Sequence, residues 1–266
     1  DALYSQIIGG LGWAYKTIGK NALAEGYFIK QADLSKANGG ENQKQYRQSL
    51  QGLANFYANT SNFRKADSVF MILESNISRY LGKETRTYSD YLHDHGLMKL
   101  DLSDYASAEQ DLKQSLEFYK GDESLSIHSQ ISIMDDLSKN YRNWGKYDAA
   151  DVSITRAIEL QSRYFGELSL AYVDLKTTKA YLLMERNLYK EAEEIFKANV
   201  SQVAKLVGPD NIRYAYEIRD FADCYRQQGD YHKAQPLYQQ FAELALRLAG
   251  KVSIEYLHAS FRFAEW

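Results

Sequence analysis

The stretch from Ile218 to Phe241 reads IRDFADCYRQQGDYHKAQPLYQQF. Ile218, Phe221, Ala222 and Tyr225 fall at i, i+3, i+4 and i+7, the spacing of one α-helical face. Gly229-Asp230 interrupts, and Tyr231, Ala234, Leu237, Tyr238 and Phe241 resume the same spacing. Glycine just past the last periodic residue is a common way for a helix to end, so the stretch predicts two helices joined by a tight turn. Small side chains at Ala222 and Ala234 let the pair approach closely, and the large ones fill the space around them.

The same pattern runs along the whole chain. Alanine stands at Ala24, Ala66, Ala108, Ala150, Ala192 and Ala234, each 42 residues after the last. Four positions on comes a large apolar residue: Phe28, Phe70, Leu112, Ile154, Phe196 and Tyr238. Twelve positions before each alanine lies a small one: Gly12, Ala54, Gly96, Ser138, Ala180 and Ala222. The turn between helices carries Gly19, Gly145 and Gly229, with Ser61, Ser103 and Asn187 in the other repeats. A second glycine recurs at Gly40, Gly82, Gly166, Gly208 and Gly250, where the second helix should turn back. The third repeat has Ser124 there, with Gly121 three residues early, and is expected to be the least regular unit. The fold expected is all-α, a single α-solenoid domain over residues 1–266. Its helix-turn-helix repeats fall at about 5–46, 47–88, 89–130, 131–172, 173–214 and 215–256, with a partial seventh at 257–266.

Leu11-Gly12 with Tyr15, Leu53-Ala54 with Tyr57, and Phe221-Ala222 with Tyr225 resemble the L-G-x2-Y element of the tetratricopeptide repeat. That repeat ordinarily has about 34 residues. Eight more residues per unit lengthen the helices by up to ~12 Å in all. VGPDNIRYA (Val207 to Ala215) and QQGDYHKAQPLY (Gln227 to Tyr238) look like the long repeats of kinesin light chains and their bacterial relatives. Some of those relatives continue into a caspase-like CHAT protease domain. The paired asparagines typical of kinesin light chains are replaced by Asp135-Asp136, Thr177-Thr178 and Arg219-Asp220, so a motor-cargo function is not carried over.

The resemblance implies a right-handed superhelix whose first helices line a concave groove and contact partners. Carried over by position, the partner-binding candidates are Asn55, Asn59, Lys139, Arg142, Asn143, Tyr181, Arg219, Arg226 and Gln227. Lys139, Arg142, Arg219 and Arg226 make the best basic cluster. A carboxylate clamp for a C-terminal tail is not reproduced, because Asn55 fits it but Asp94 stands at the next asparagine position.

Composition narrows the function classes. With 266 residues, a net charge of −3, 25% charged and 45% hydrophobic residues, the chain suits a soluble fold and lacks the basic excess of a nucleic-acid binder. No apolar run approaches a membrane span. Neither a phosphate-binding glycine loop nor a nucleophile elbow nor a zinc-protease motif occurs. His93 and His95, two apart on a helix, point in different directions and cannot share a metal. Cys224 occupies a packing position filled elsewhere by Ala14, Phe56, Met98, Asn140 and Leu182. His95, Lys99 and Lys179 stand where other repeats hold Leu, Phe or Tyr, and local accommodation is expected there, since long lysine stems can snorkel.

The expected function is therefore a non-catalytic scaffold that binds a peptide or partner protein in the groove, without a cofactor. The alternative is the sensor or regulatory arm of a larger enzyme such as a CHAT protease. Phe261, Phe263 and Trp266 do not read as the polar cap of a repeat stack, so the chain is expected to be part of a longer protein. A cytoplasmic location is expected from the lack of an export signal.

Overall fold

The computed structural model describes residues 2–119 and 127–250. Among these residues there are twelve α-helices and no strand. By contact the chain divides into two units, Asp1–Ser126 and Ile127–Trp266. The first holds α1 (Ala2–Thr17), α2 (Asn21–Gly39), α3 (Lys44–Asn59), α4 (Phe63–Tyr80), α5 (Arg86–Asp101) and α6 (Tyr105–Tyr119). The second holds α7 (Ile127–Asn143), α8 (Tyr147–Phe165), α9 (Leu170–Glu185), α10 (Tyr189–Val207), α11 (Ile212–Gln228) and α12 (Tyr231–Ala249). Within each unit every helix packs on the next, as hairpins and then as stacked hairpins, which is the arrangement of a tetratricopeptide-type solenoid. Ser124, Gly121 and the partial seventh repeat lie outside the described residues.

The 42-residue positions do what their side chains dictate. All six alanines from Ala24 to Ala234 are completely buried. The large residues four positions on are buried as well, Phe28, Phe70, Leu112, Ile154 and Phe196 fully and Tyr238 almost so. A methyl group added at Gly12 would sit 3.1 Å from the Phe28 ring, and one at Gly96 would sit 3.0 Å from Leu112. Ser138, at the same position, satisfies its buried hydroxyl by donating to the Ala150 carbonyl at 2.9 Å. The helix–helix distance is thus set by small residues on the first helix that leave room for the large side chains of the second.

The turns obey the same periodicity. Gly19, Ser61, Ser103, Gly145, Asn187 and Gly229, which end the first helices, all have positive φ. So do Gly40, Gly82, Gly166, Gly208 and Gly250 at the ends of second helices. Left-handed backbone at a helix end favours glycine and next asparagine, and Ser61 and Ser103 hold it against that preference.

Stacked hairpins are also joined by charge. The residue after each repeat alanine is acidic in five of six cases: Glu25, Asp67, Glu109, Asp151 and Glu193. Tyr57 donates to Glu25 at 2.9 Å, and Tyr225 donates to Glu193 at 2.7 Å. Lys179 pairs with Asp151. Lys99 reaches Asp67 at 3.6 Å. His95 lies 2.7 Å from Asp111 and 3.7 Å from Asp67, between the rings of Tyr91 and Phe70. The three polar residues that interrupt the apolar pattern are therefore accommodated locally, by carboxylates from second helices.

Candidate partner-binding face

In unit 1 the first helices α3 and α5 lie side by side. Asn55 is half-buried on α3, and its amide donates to Asp94 on α5 at 2.8 Å. Gln51 donates to the same Asp94 oxygen at 2.6 Å. Asn59 is exposed and donates to the Asn55 carbonyl at 2.7 Å. The position that would hold a clamp asparagine thus supplies a carboxylate, and that carboxylate engages the amides an anionic ligand would need.

In unit 2 the remaining candidates lie on the first helices α7, α9 and α11. Lys139 bridges Asp135 at 2.7 Å and Asp136 at 3.1 Å. Burial works against its charge, but the two aspartates outweigh it and raise the ammonium above its ordinary range. Burial pushes the Asp135 carboxyl up, against the pull of Lys139 and of Thr178 on α9, which donates to it. Arg142 lies over the Tyr181 ring, 5.7 Å from its centroid, and reaches the Asn143 side chain at 3.5 Å. Tyr181 donates to Asp220 on α11, and burial followed by that carboxylate raises its hydroxyl far above the ordinary tyrosine range. Arg219 grips the same Asp220 at 2.7 Å. Arg226 approaches Asp223 at 3.4 Å and the Tyr238 hydroxyl at 3.2 Å, while Tyr238 donates to Asp223 at 2.5 Å. Asn143 and Gln227 are exposed near the ends of their helices.

The face is a ladder of opposed charges in which three of the four expected cations carry carboxylate partners. Among the described residues, Arg142 has none. Each pairing is local to one helix: Asp135 and Asp136 lie four and three residues before Lys139 on α7, Asp220 follows Arg219 directly, and Asp223 lies three residues before Arg226 on α11.

Residues 131–164 and 172–247 match tetratricopeptide repeat models. These are tetratricopeptide repeats. The tetratricopeptide assignment agrees with solved structures. BtubC from P. vanneervenii superposes with a TM-score of 0.67 at 14% identity, covering 85% of this chain and 90% of that one. A putative kinesin light chain of Podosopora anserina, with nearly identical TPR-like repeats, gives 0.63 at 16% identity, over 76% and 96%. The Rap conjugation regulator of plasmid pLS20, in complex with the Phr* peptide, gives 0.61 at 14% identity, covering 87% of this chain and 65% of that one. At such identities the likeness is one of fold. Comparison with curated proteins finds no match. Tetratricopeptide folds are generally non-catalytic, and protein interaction is their typical role.

The remaining candidates for chemistry are consistent with packing. Cys224 is fully buried against Ala180, Leu183, Met184, Ala192 and Phe196, and burial pushes its thiol up to about 11. Among the described residues, no group of three or more His, Cys, Asp or Glu is placed to hold a metal ion. No described helix is long and apolar enough to cross a membrane.

Proposed function

We propose that the first-helix face of unit 2 binds a segment of a partner protein, and that Arg142 with Tyr181 anchors an acidic residue of that segment. The observation that carries this reading is the difference between Arg142 and its neighbours. Lys139, Arg219 and Arg226 are each paired with a carboxylate of this chain. Arg142 meets an aromatic face and an amide oxygen, and it retains donors for an incoming carboxylate. Asn143 and Gln227 at the margins offer exposed amides for main-chain contacts. The fold neighbour solved with the Phr* peptide supports a peptide as the ligand class. Asp94 makes the unit 1 face a poorer host for an anionic segment, because it occupies the Gln51 and Asn55 amides.

The test is fluorescence-polarisation screening of an acidic-residue peptide library against the wild-type chain, Arg142→Glu and the exposed control Lys113→Glu. Binding that falls at least about tenfold in Arg142→Glu and is kept by the control supports the reading. Peptides that bind Arg142→Glu as tightly as the wild type overturn it.

A further inference from the structure

Helix α11 buries a carboxylate where the repeat elsewhere places mainly apolar side chains. At 42-residue spacing the position holds Ile7, Ser49, Tyr91, Ile133 and Leu175, and then Glu217. Glu217 is 1% exposed, and no donor meets either carboxylate oxygen in hydrogen-bonding geometry. Arg213, one turn earlier, brings Nη2 to 2.7 Å from Oε1. The same guanidinium nitrogen is bound to Asp174 on α9, so its charge is shared between two carboxylates.

The other neighbours give the charge little help. From α10, Asn199 exerts only a weak pull, because its amide is directed to the Thr177 hydroxyl at 2.9 Å. From α11 itself Asp220 adds a like charge, and from α9 Asp174 adds another. From α12, Phe241, Leu244 and Ala245 pack with Ala215 and Ile218 of this helix, while Tyr238 binds Asp223 and Arg226 further along it. Burial is the largest influence and outweighs Arg213, and the carboxyl is pushed up to about 7.

We infer that folding of the α9–α12 region takes up a proton at Glu217, so that α11 is docked more firmly in mildly acid than in mildly alkaline solution. The unfolded chain releases this proton near the ordinary carboxylate pKa of about 4.3, whereas the folded chain keeps it until near neutrality. Between those limits the folded state holds more protons, and stability falls as pH rises. The loss levels off once the folded carboxyl has also ionised.

The experiment is native-state hydrogen exchange of the whole chain between about pH 5 and pH 8, corrected for the intrinsic pH dependence of exchange, on the wild type, Glu217→Gln, Glu217→Leu and the exposed control Glu243→Gln. In the wild type the opening equilibrium of α10–α12 should rise several tens-fold across that range, on the order expected for a shift of this size. It should rise in the Glu243→Gln control too, and flatten in Glu217→Gln and Glu217→Leu. A wild-type region whose protection does not change with pH overturns the inference, as does a slope that survives both Glu217 substitutions. Should the glutamine variant fail to fold, the wild-type profile and the leucine variant decide it.

Discussion

The hydroxyl of Tyr225 on α11 donates to Glu193 on α10 at 2.7 Å, across the boundary between two hairpins. In unit 1 Tyr57 stands in the same relation to Glu25, at 2.9 Å, and Glu25 also takes Lys65 at 2.6 Å. In both pairs the tyrosine closes the L-G-x2-Y element and the glutamate follows the repeat alanine. The tyrosine therefore packs its ring within its own repeat and fastens its hydroxyl to the repeat before. Burial, then the bond to Glu25, raises the Tyr57 hydroxyl to about 12.

Tyr225→Phe and Tyr57→Phe keep the rings but remove the hydroxyls that Glu193 and Glu25 accept from. Each change should lower stability by about 1–2 kcal/mol, the range for losing a hydrogen bond to a charged group. Chemical denaturation monitored by circular dichroism measures it. A loss below about 0.3 kcal/mol in both variants would show that water replaces the hydroxyl without cost.

The Lys179–Asp151 pair between α9 and α8 allows a sharper test. Both side chains are largely covered, at 20% and 34% exposure, and Thr155 lies 3.3 Å from the ammonium. Asp151→Ala leaves the lysine without its counter-charge and should cost about 1–3 kcal/mol. Combining it with Lys179→Leu restores the apolar residue found at that position in Leu53 and Leu137, and should recover most of the loss. A double variant no more stable than Asp151→Ala alone would mean that the charge was not the cause.

Repeat packing was legible in the sequence because it depends on size at fixed spacing: alanine, glycine or serine where helices touch, and Phe, Leu or Ile in the gaps. The turns were legible for a related reason, since Gly229 and its counterparts mark backbone that few residues tolerate. Pairings were less legible. His95, Lys99 and Lys179 read as interruptions of an apolar pattern, and only the packing of second helices against first helices brings Asp67, Asp111 and Asp151 to them. The signal was present, an acidic residue after the alanine in five repeats, but it acquires meaning only when the facing tyrosine or lysine is known. Glu217 was likewise readable as a departure from Ile133 and Leu175, whereas its burial beside a guanidinium shared with Asp174 is a property of the folded surroundings. On the candidate face, the cations stood out in the sequence and the carboxylates that oppose three of them stand one to four residues away on the same helices, whereas the seating of Arg142 on Tyr181 and the bond from Tyr181 to Asp220 emerge only from the packed helices.

Ser61 and Ser103 hold left-handed backbone, with φ of 57° and 60°, at positions where other repeats use glycine. An L-residue in that region is disfavoured by roughly 1 kcal/mol, while glycine adopts it freely at some cost in unfolded-state entropy. Ser61→Gly and Ser103→Gly should each raise stability by about 0.3–1 kcal/mol, measured by the midpoint of urea unfolding. Gly145→Ser, the reverse change in unit 2, should lower it by a similar amount. Destabilisation by both glycine substitutions would show that the serine side chains make compensating bonds.

Cys224 offers a readout of the interior of unit 2. Its side chain is fully buried and its thiol is raised to about 11, burial first and the charge of Glu193 second. At neutral pH the folded chain therefore holds almost no thiolate, and reagent access requires α11 to open. Labelling by a disulfide reagent at pH 7 should be slow in the native chain and fast in denaturant. Cys224→Ser should cost about 1–3 kcal/mol, because it places a hydroxyl among Ala180, Leu183, Met184 and Phe196. Cys224→Ala should cost less than the serine change, although it removes more volume, if the polarity of the site matters more than the cavity. Rapid native labelling at pH 7 would mean that the packing of α9, α10 and α11 opens far more often than their buried contacts imply.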